Sequence, residues 1–222
     1  MPVSLQAAKH AGKIAVCENT DSGMKVYICD TLYKASFQRR VGRVLFMKKT
    51  IAIDMDGVLA DVELQILNFY ERDYGVRYTR EHLMGRAEDD FFPEKGIVHK
   101  YVLEPGFFLT LPLIEGAVEA VQTLMEDFDV YIVSAAVEFP LSLNEKLQWL
   151  GKYFPFITWH NIVFCGDKSI INTDYMIDDH IKNLDRFKGK TYMFHAYHNI
   201  HYTHHTRINN WPQVVALLKA EL

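Results

Sequence analysis

Ile51-Ala-Ile-Asp-Met-Asp-Gly-Val-Leu-Ala-Asp61 is the stretch from which the rest of the chain can be read. Its apolar start has the length and composition of a buried strand, and Asp54 and Asp56 follow at the strand's end. Side chains two apart on a strand share a face, so these carboxylates converge, and Gly57 lets the backbone turn sharply behind them. Two carboxylates held that close raise each other's pKa unless a cation lies between them, and a hard divalent ion with oxygen ligands is the usual remedy. The stretch therefore predicts a magnesium site. Acids followed by glycine also occur in ordinary turns and in calcium loops. Here a strand precedes the acids, and the position that would close a calcium loop with Glu is Gln65.

Outward from this stretch, the 222 residues suffice for one domain with an insertion. A formal charge of -4 argues against polymeric nucleic acid or an anionic membrane as partner. No apolar run is long enough to span a bilayer. Cys17, Cys29 and Cys165 show neither metal spacing nor a disulfide framework, which points to a reducing compartment and a cytoplasmic address.

Residues 1–46 read as an N-terminal extension, with scattered bases that include Arg39, Arg40 and Arg43 and one short strand at 25–29. Met47-Lys-Lys-Thr, directly before the strand, is the expected functional start, and a cleaved targeting peptide is the lesser alternative. After Asp61, Val62, Ile66, Phe69 and Tyr70 predict a helix ending near Gly75. Residues 62–110 as a whole read as a small helical insertion between core segments 47–61 and 111–222. A helix is expected over 115–128 with Val118, Val121, Leu124, Met125 and Phe128 on its apolar face, then a strand at 130–133 ending at Ser134. Ser142-Leu-Asn-Glu145 has the form of a capping box, opening a helix with Leu143, Leu147 and Leu150 inward and Gly151 at its end. Strands follow at 162–165, 175–177 and 191–194, with a short helix at Ile181, Leu184 and Phe187, and a last helix starts at Pro212. Strands alternating with helices predict an α/β, Rossmann-like, doubly wound parallel sheet.

Ligands of such sheets bind beyond the carboxyl ends of the strands. Asp54 and Asp56, Ser134, Lys168, and Asp178 with Asp179 all fall there. Taken singly, each has an ordinary reading: Ser134 as a hydroxyl satisfying backbone, Lys168 as a solvated charge, Asp178-Asp179 as a helix cap. Together they make a site with acids, a fixed cation, a hydroxyl and room for a metal.

This ordered set resembles the haloacid dehalogenase (HAD) superfamily of phosphotransferases over residues 47–215. Asp-Met-Asp-Gly-Val-Leu-Ala-Asp (54–61), Pro-Gly-Phe-Phe (105–108), Ile-Glu-Gly-Ala (114–117), Asp-Lys (167–168) and Ile-Asp-Asp (177–179) resemble more narrowly the 5'(3')-deoxyribonucleotidases. The resemblance implies a helical cap at 62–110 and a magnesium-dependent phosphomonoesterase for nucleoside 5'-monophosphates, with a homodimer as a possible assembly. It implies that Asp54 attacks phosphorus to form an aspartyl-phosphate. Asp56 would serve as acid and then base, its carbonyl helping to bind metal. Asp178 would ligate the metal, Asp179 would ligate it or partner Lys168, and Ser134 and Lys168 would hold the phosphoryl oxygens.

The chain departs from the family pattern at the second motif, where Thr-Ser-Pro is usual and Ser134 is followed by Ala135 and Ala136. That removes a hydroxyl from the phosphate cradle and bears on substrate more than on reaction. Phe107 and Phe108 match the family and could stack on a base, although core packing is the plainer reading. His195, His198, His201, His204 and His205 have no matched Cys or acidic partner in the sequence and read as a polar loop rather than a zinc site. Trp149, Trp159 and Trp211 read as packing anchors. Two other functions stay open at this point: a phosphatase for another small ester such as a sugar phosphate, and a noncatalytic module that binds a phosphorylated ligand. Intact Asp54 and Asp56 disfavour the second, since binding alone requires neither.

Overall fold

The structure, a computed structural model, describes the backbone of residues 6–10, 13–20, 23–30, 48–86 and 88–222, and side chains from 48 onward except 87–89. The bases at 39, 40 and 43, the start expected at Met47 and the side chains of Cys17 and Cys29 lie outside the described residues. The chain forms two units, 1–47 and 48–222.

In the first unit β1 (Gln6–His10), β2 (Lys13–Thr20) and β3 (Gly23–Asp30) make an antiparallel sheet in that order. One strand was expected and three are present among the described residues. Lys13-Ile-Ala-Val-Cys-Glu-Asn-Thr alternates too weakly to announce a strand, and pairing supplies what the pattern lacks, with Ile14 opposite Cys29 and Val16 opposite Tyr27.

The second unit is a six-stranded parallel sheet with helices, in the order β6-β5-β4-β7-β8-β9. Its strands are β4 (Lys49–Ile53), β5 (Phe128–Ser134), β6 (Ile162–Phe164), β7 (Tyr175–Asp178), β8 (Lys190–Phe194) and β9 (Thr206–Ile208). β4 lies centrally between β5 and β7, with Ile53 paired to Ile132 and to Ile177. The chain moves outward from β4 through β5 and β6, then returns to the other side of β4 for β7, β8 and β9, so the direction of winding reverses at the carboxyl end of β4. Ile51, Ile53, Val130, Ile132, Met176 and Ile177 are all buried, as strands covered on both faces require. β9 escapes the sequence reading because three residues, Thr206-Arg-Ile, are too few to show a period.

Helix α1 (Val62–Tyr74) starts on Asp61, whose carboxylate accepts the Leu64 N–H at 3.0 Å, and ends at Gly75 in the left-handed conformation. After it come a single 3₁₀ turn at 80–83 and two short helices, α2 (Glu88–Phe91) and α3 (Ile97–Val102). Phe69, Tyr70, Tyr78, Phe92, Tyr101 and Phe107 pack edge-on, stacked or tilted around α1. Arg72 lies 4.1 Å over Phe69 and pairs through both terminal nitrogens with Glu104, which ties α1 to the turn before Phe107.

Three helical details differ from the sequence reading. Helix α4 spans Ala117–Met125, and Phe128 begins β5 instead of ending the helix. Its buried side is Ala117, Ala120, Val121 and Leu124; Phe128 lies three positions after Met125 and so mimics one more helical contact. Helix α5 (Pro140–Tyr153) starts two residues before Ser142 and runs through Gly151. Phe139 is its N-cap and Leu147 is exposed, while Ser142, Lys146, Trp149 and Leu150 are buried. Ser142 Oγ donates to the Ala136 carbonyl at 2.9 Å, so the apparent capping box is put to other uses. Helices α6 (Ile181–Leu184) and α7 (Trp211–Lys219) complete the fold. Asn210 caps α7, and Pro212 stands in its first turn. Trp149 and Trp211 are fully buried anchors, but Trp159 is 76% exposed and stacks on His160.

Candidate active site

Four strand ends meet at the switch point. Asp54 directly follows β4, Ser134 ends β5, Asp178 ends β7, and Lys168 opens the 3₁₀ turn between β6 and β7; Asp54, Ser134, Lys168, Asp178 and Asp179 are all buried. The backbone then coils through Met55–Ala60, where Met55 O accepts from Leu59 N and Ala60 N and Gly57 N donates to Ala60 O. Gly57 has φ of 74°, and a Cβ there would collide with the Asp179 carboxylate. Glycine is required both by the conformation and by that approach.

Lys168 Nζ is 2.6 Å from Asp54 and 2.7 Å from Asp178. Met55 N–H donates to Asp54 Oδ1 at 2.7 Å. Asp178 also accepts from His180 N–H at 2.8 Å and from the Asn183 amide at 3.0 Å, so its orientation is set from three directions. Asn199 Nδ2 donates to the Asp179 carbonyl and to the Phe194 carbonyl, both at 2.8 Å, which pins the backbone at the second acid. Burial pushes the Asp54 carboxyl up to about 8; Lys168 opposes the rise, while Asp178, Asp179 and Asp56 add to it. Burial by itself would lower the Lys168 ammonium, but Asp54 and Asp178 outweigh it and hold its pKa above the usual lysine value. Lys168 thus keeps its charge, and burial works against the ionised form of Asp54, which further positive charge would favour.

Asp54, Asp178 and Asp179 each offer one oxygen within 4.8 Å of the others. A buried, all-carboxylate donor set of this kind suits a hard divalent cation. Asp56 Oδ1 is also buried and has no hydrogen-bond partner in the structure. The donor chemistry fits magnesium.

Sequence reading missed Lys146. Its side chain, 2% exposed, pairs with Asp56 Oδ2, donates to Ser134 Oγ at 3.0 Å and lies 4.6 Å over the Phe108 ring. The signal was present: Ser142, Lys146 and Trp149 fall at helical spacing on the buried stripe of α5, where lysine is rare unless paired. Glu145, next to it, accepts the N–H groups of Gly106, Phe108 and Leu109 at 2.6, 3.0 and 3.2 Å. Phe107 is sealed between Phe69 and Phe108.

Arg80, from the 3₁₀ turn after α1, pairs with Asp61. A cleft of about 660 Å³ opens beside Gly57 and runs past Asp61, Arg80, His195 and Tyr197. Cys165 is buried, and burial pushes its thiol above the usual range. The histidines do gain an acidic partner, contrary to the sequence reading: His204 and His205 both meet Asp185. No helix among the described residues is long and apolar enough to cross a membrane.

Comparison with known proteins agrees with the topology and the site. A 5'(3')-deoxyribonucleotidase of Bacillus subtilis (strain 168) is 39% identical over 181 residues, covering 76% of this chain and 97% of its own. A Staphylococcus aureus (strain Mu50) protein that carries the same name provisionally is 41% identical over 170 residues, covering 75% and 93%. Among solved structures, a HAD-hydrolase of Bacillus subtilis bound to magnesium superposes with a TM-score of 0.50 at 16% identity, covering 78% of this chain and all of that one, which speaks to the fold. The family model described as 5' nucleotidase, deoxy (pyrimidine), cytosolic type C protein matches residues 48–222, and the chain belongs to that family.

Proposed function

We propose that the protein is a magnesium-dependent phosphomonoesterase that dephosphorylates nucleoside 5'-monophosphates, deoxyribonucleotides first among them, through an aspartyl-phosphate on Asp54. The observation that carries this reading is the convergence of Asp54, Asp56, Ser134, Lys168, Asp178 and Asp179 on one switch point, in a family of nucleotidases. Asp54, Asp178 and Asp179 would hold the metal, with the Asp56 backbone carbonyl as a further oxygen ligand. Bound there, magnesium supplies charge that offsets both the attacking carboxylate and the phosphate it attacks.

Asp54 is the nucleophile, oriented by Met55 N–H and Lys168. Attack forms its bond to phosphorus as the ester oxygen leaves, and Asp56 passes a proton to that oxygen. Asp56 then takes a proton from water as water attacks the aspartyl-phosphate and its bond to Asp54 breaks, releasing phosphate and restoring the Asp54 carboxylate and the Asp56 acid. Lys168, Lys146 and Ser134 donate to the phosphoryl oxygens, where fixed positive charge stabilises the spreading negative charge of the transition state. Lys146 takes up part of what is lost where Ala135 and Ala136 replace the usual second motif. Phe108, lying beneath Lys146, supports a nucleoside seated on that side of the phosphate.

The test is phosphate release with magnesium across ribo- and deoxyribonucleoside monophosphates and common sugar phosphates, with Asp54→Asn as blank. Preference for deoxynucleotides, silence after chelation and recovery with magnesium are expected. Turnover confined to a sugar phosphate would keep the mechanism and replace the substrate. Turnover by Asp54→Asn would remove the nucleophile from its assigned place.

A further inference from the structure

The loop between β8 and β9 ends in Thr203-His-His205, and both histidines turn toward a carboxylate that follows α6. His204 Nε2 and His205 Nε2 each lie 2.9 Å from the same oxygen, Asp185 Oδ1. We propose that Asp185, His204 and His205 form a second metal site, for a divalent cation of the zinc class, separate from the carboxylate centre at the strand ends.

The donor set is the first argument. Two imidazole nitrogens and a carboxylate oxygen lie within 4.8 Å of one another, and tetrahedral zinc with ligands at about 2.0–2.1 Å asks for donors roughly 3.3 Å apart. Three protein ligands leave a fourth position, and the exposed His204 and Asp185 side chains leave it open to water. Imidazoles favour zinc, nickel, cobalt or copper over magnesium, whereas three buried carboxylates favour magnesium. The molecule thus offers two sites of opposite preference that share no residue.

The second argument is the support behind His205. Thr191 Oγ1 on β8 lies 2.8 Å from Nδ1, the nitrogen that faces away from Asp185. Ligating histidines commonly rest their other nitrogen on such a partner. A hydroxyl can donate or accept, so it can hold the ring with its proton on Nδ1 and leave the Nε2 lone pair for metal. Binding then needs a change of tautomer at His205 and at His204, whose Nε2 faces the same oxygen.

The consequence is a clasp. Asp185 ends the segment that begins with Asp178 and Asp179, while the histidines end the loop that carries Asn199, whose amide holds the Asp179 carbonyl. A metal here joins the far ends of the two segments that position that acid and stabilises the folded chain by mass action.

The full chain, kept in saturating magnesium, is titrated with zinc while its melting temperature is followed, and cobalt(II) replaces zinc for an optical readout of tetrahedral coordination. A rise in melting temperature and a tetrahedral cobalt spectrum are expected for the wild type and for Asp54→Asn. Both should be lost in His204→Gln and His205→Gln, and Thr191→Val should weaken zinc binding by about tenfold or more. His204→Gln, at an exposed position, should leave turnover in magnesium unchanged. Equal zinc binding by wild type and His204→Gln, loss of binding in Asp54→Asn alone, or no binding by the wild type would each overturn the proposal. Such results would leave two N–H···O bonds to Asp185, and phosphate release in magnesium tests the nucleotidase reading independently.

Discussion

Lys146 and Asp54 show how much a buried charge depends on its neighbours. Lys146 is enclosed by Asp56, Ser134 and Phe108, and on the proposed reading its ammonium donates to the phosphoryl group. Lys146→Met keeps the volume and removes the charge, so kcat/KM should fall by about 10²–10³, the usual cost of one transition-state donor, with the fold retained by circular dichroism. Asp54 yields a pH prediction whose sign can be worked out. Its folded pKa near 8 lies above the ordinary carboxylate value, so between about 4 and 8 the metal-free native state binds more protons than the unfolded state. Stability from this group is therefore full below about pH 4 and is lost as pH rises through about 8. Magnesium must displace that proton, so its affinity should climb toward pH 8, by up to about tenfold per unit, and then level off. Calorimetric titrations at several pH values check this; a flat affinity between pH 6 and 8 would show that Asp54 is already ionised without metal.

At the scale of elements, α5 ties the 106–109 turn to Asp56. Glu145 faces outward to collect three N–H groups of the 106–109 turn, while Lys146 faces inward to Asp56. Glu145→Gln retains the length but not the charge, and should cost about 1–3 kcal/mol of stability through weakened charged hydrogen bonds. Because Phe108 belongs to that turn, KM should rise more than kcat falls; an unchanged KM would mean that the turn does not help to seat the substrate. The same helix shows where pattern reading reaches its limit. Ser142-x-x-Glu145 has the form of a capping box, yet Pro140 starts the helix earlier and both side chains serve distant backbone. Local sequence states what a residue can bond, and the packed neighbour decides which bond is made. Leu143, Leu147 and Leu150 made a plausible apolar face; the true face turns toward Trp149 because Lys146 has partners only inside.

For the whole molecule, the family match begins at 48, and the parallel sheet with its complete acid cluster lies in 48–222. A chain of residues 48–222 should therefore keep its kcat within about twofold and melt within a few degrees of the full chain, as additivity for independent units predicts. Activity lost on truncation would assign residues 1–47 a part in the site. The alternation of strands and helices, the acids just after β4 and the acidic pair at the end of β7 were legible in 222 residues of sequence, because a buried strand needs a continuous apolar run and a carboxylate cluster stands out against it. Strands β1, β2 and β9 were not, since short or weakly alternating segments become strands only through the partners they pair with. Tertiary structure alone placed Lys146 on Asp56 and Asp185 between two histidines. Those contacts span 90 residues in one case and 19 and 20 in the other, and no local period records a distance that the folded chain closes.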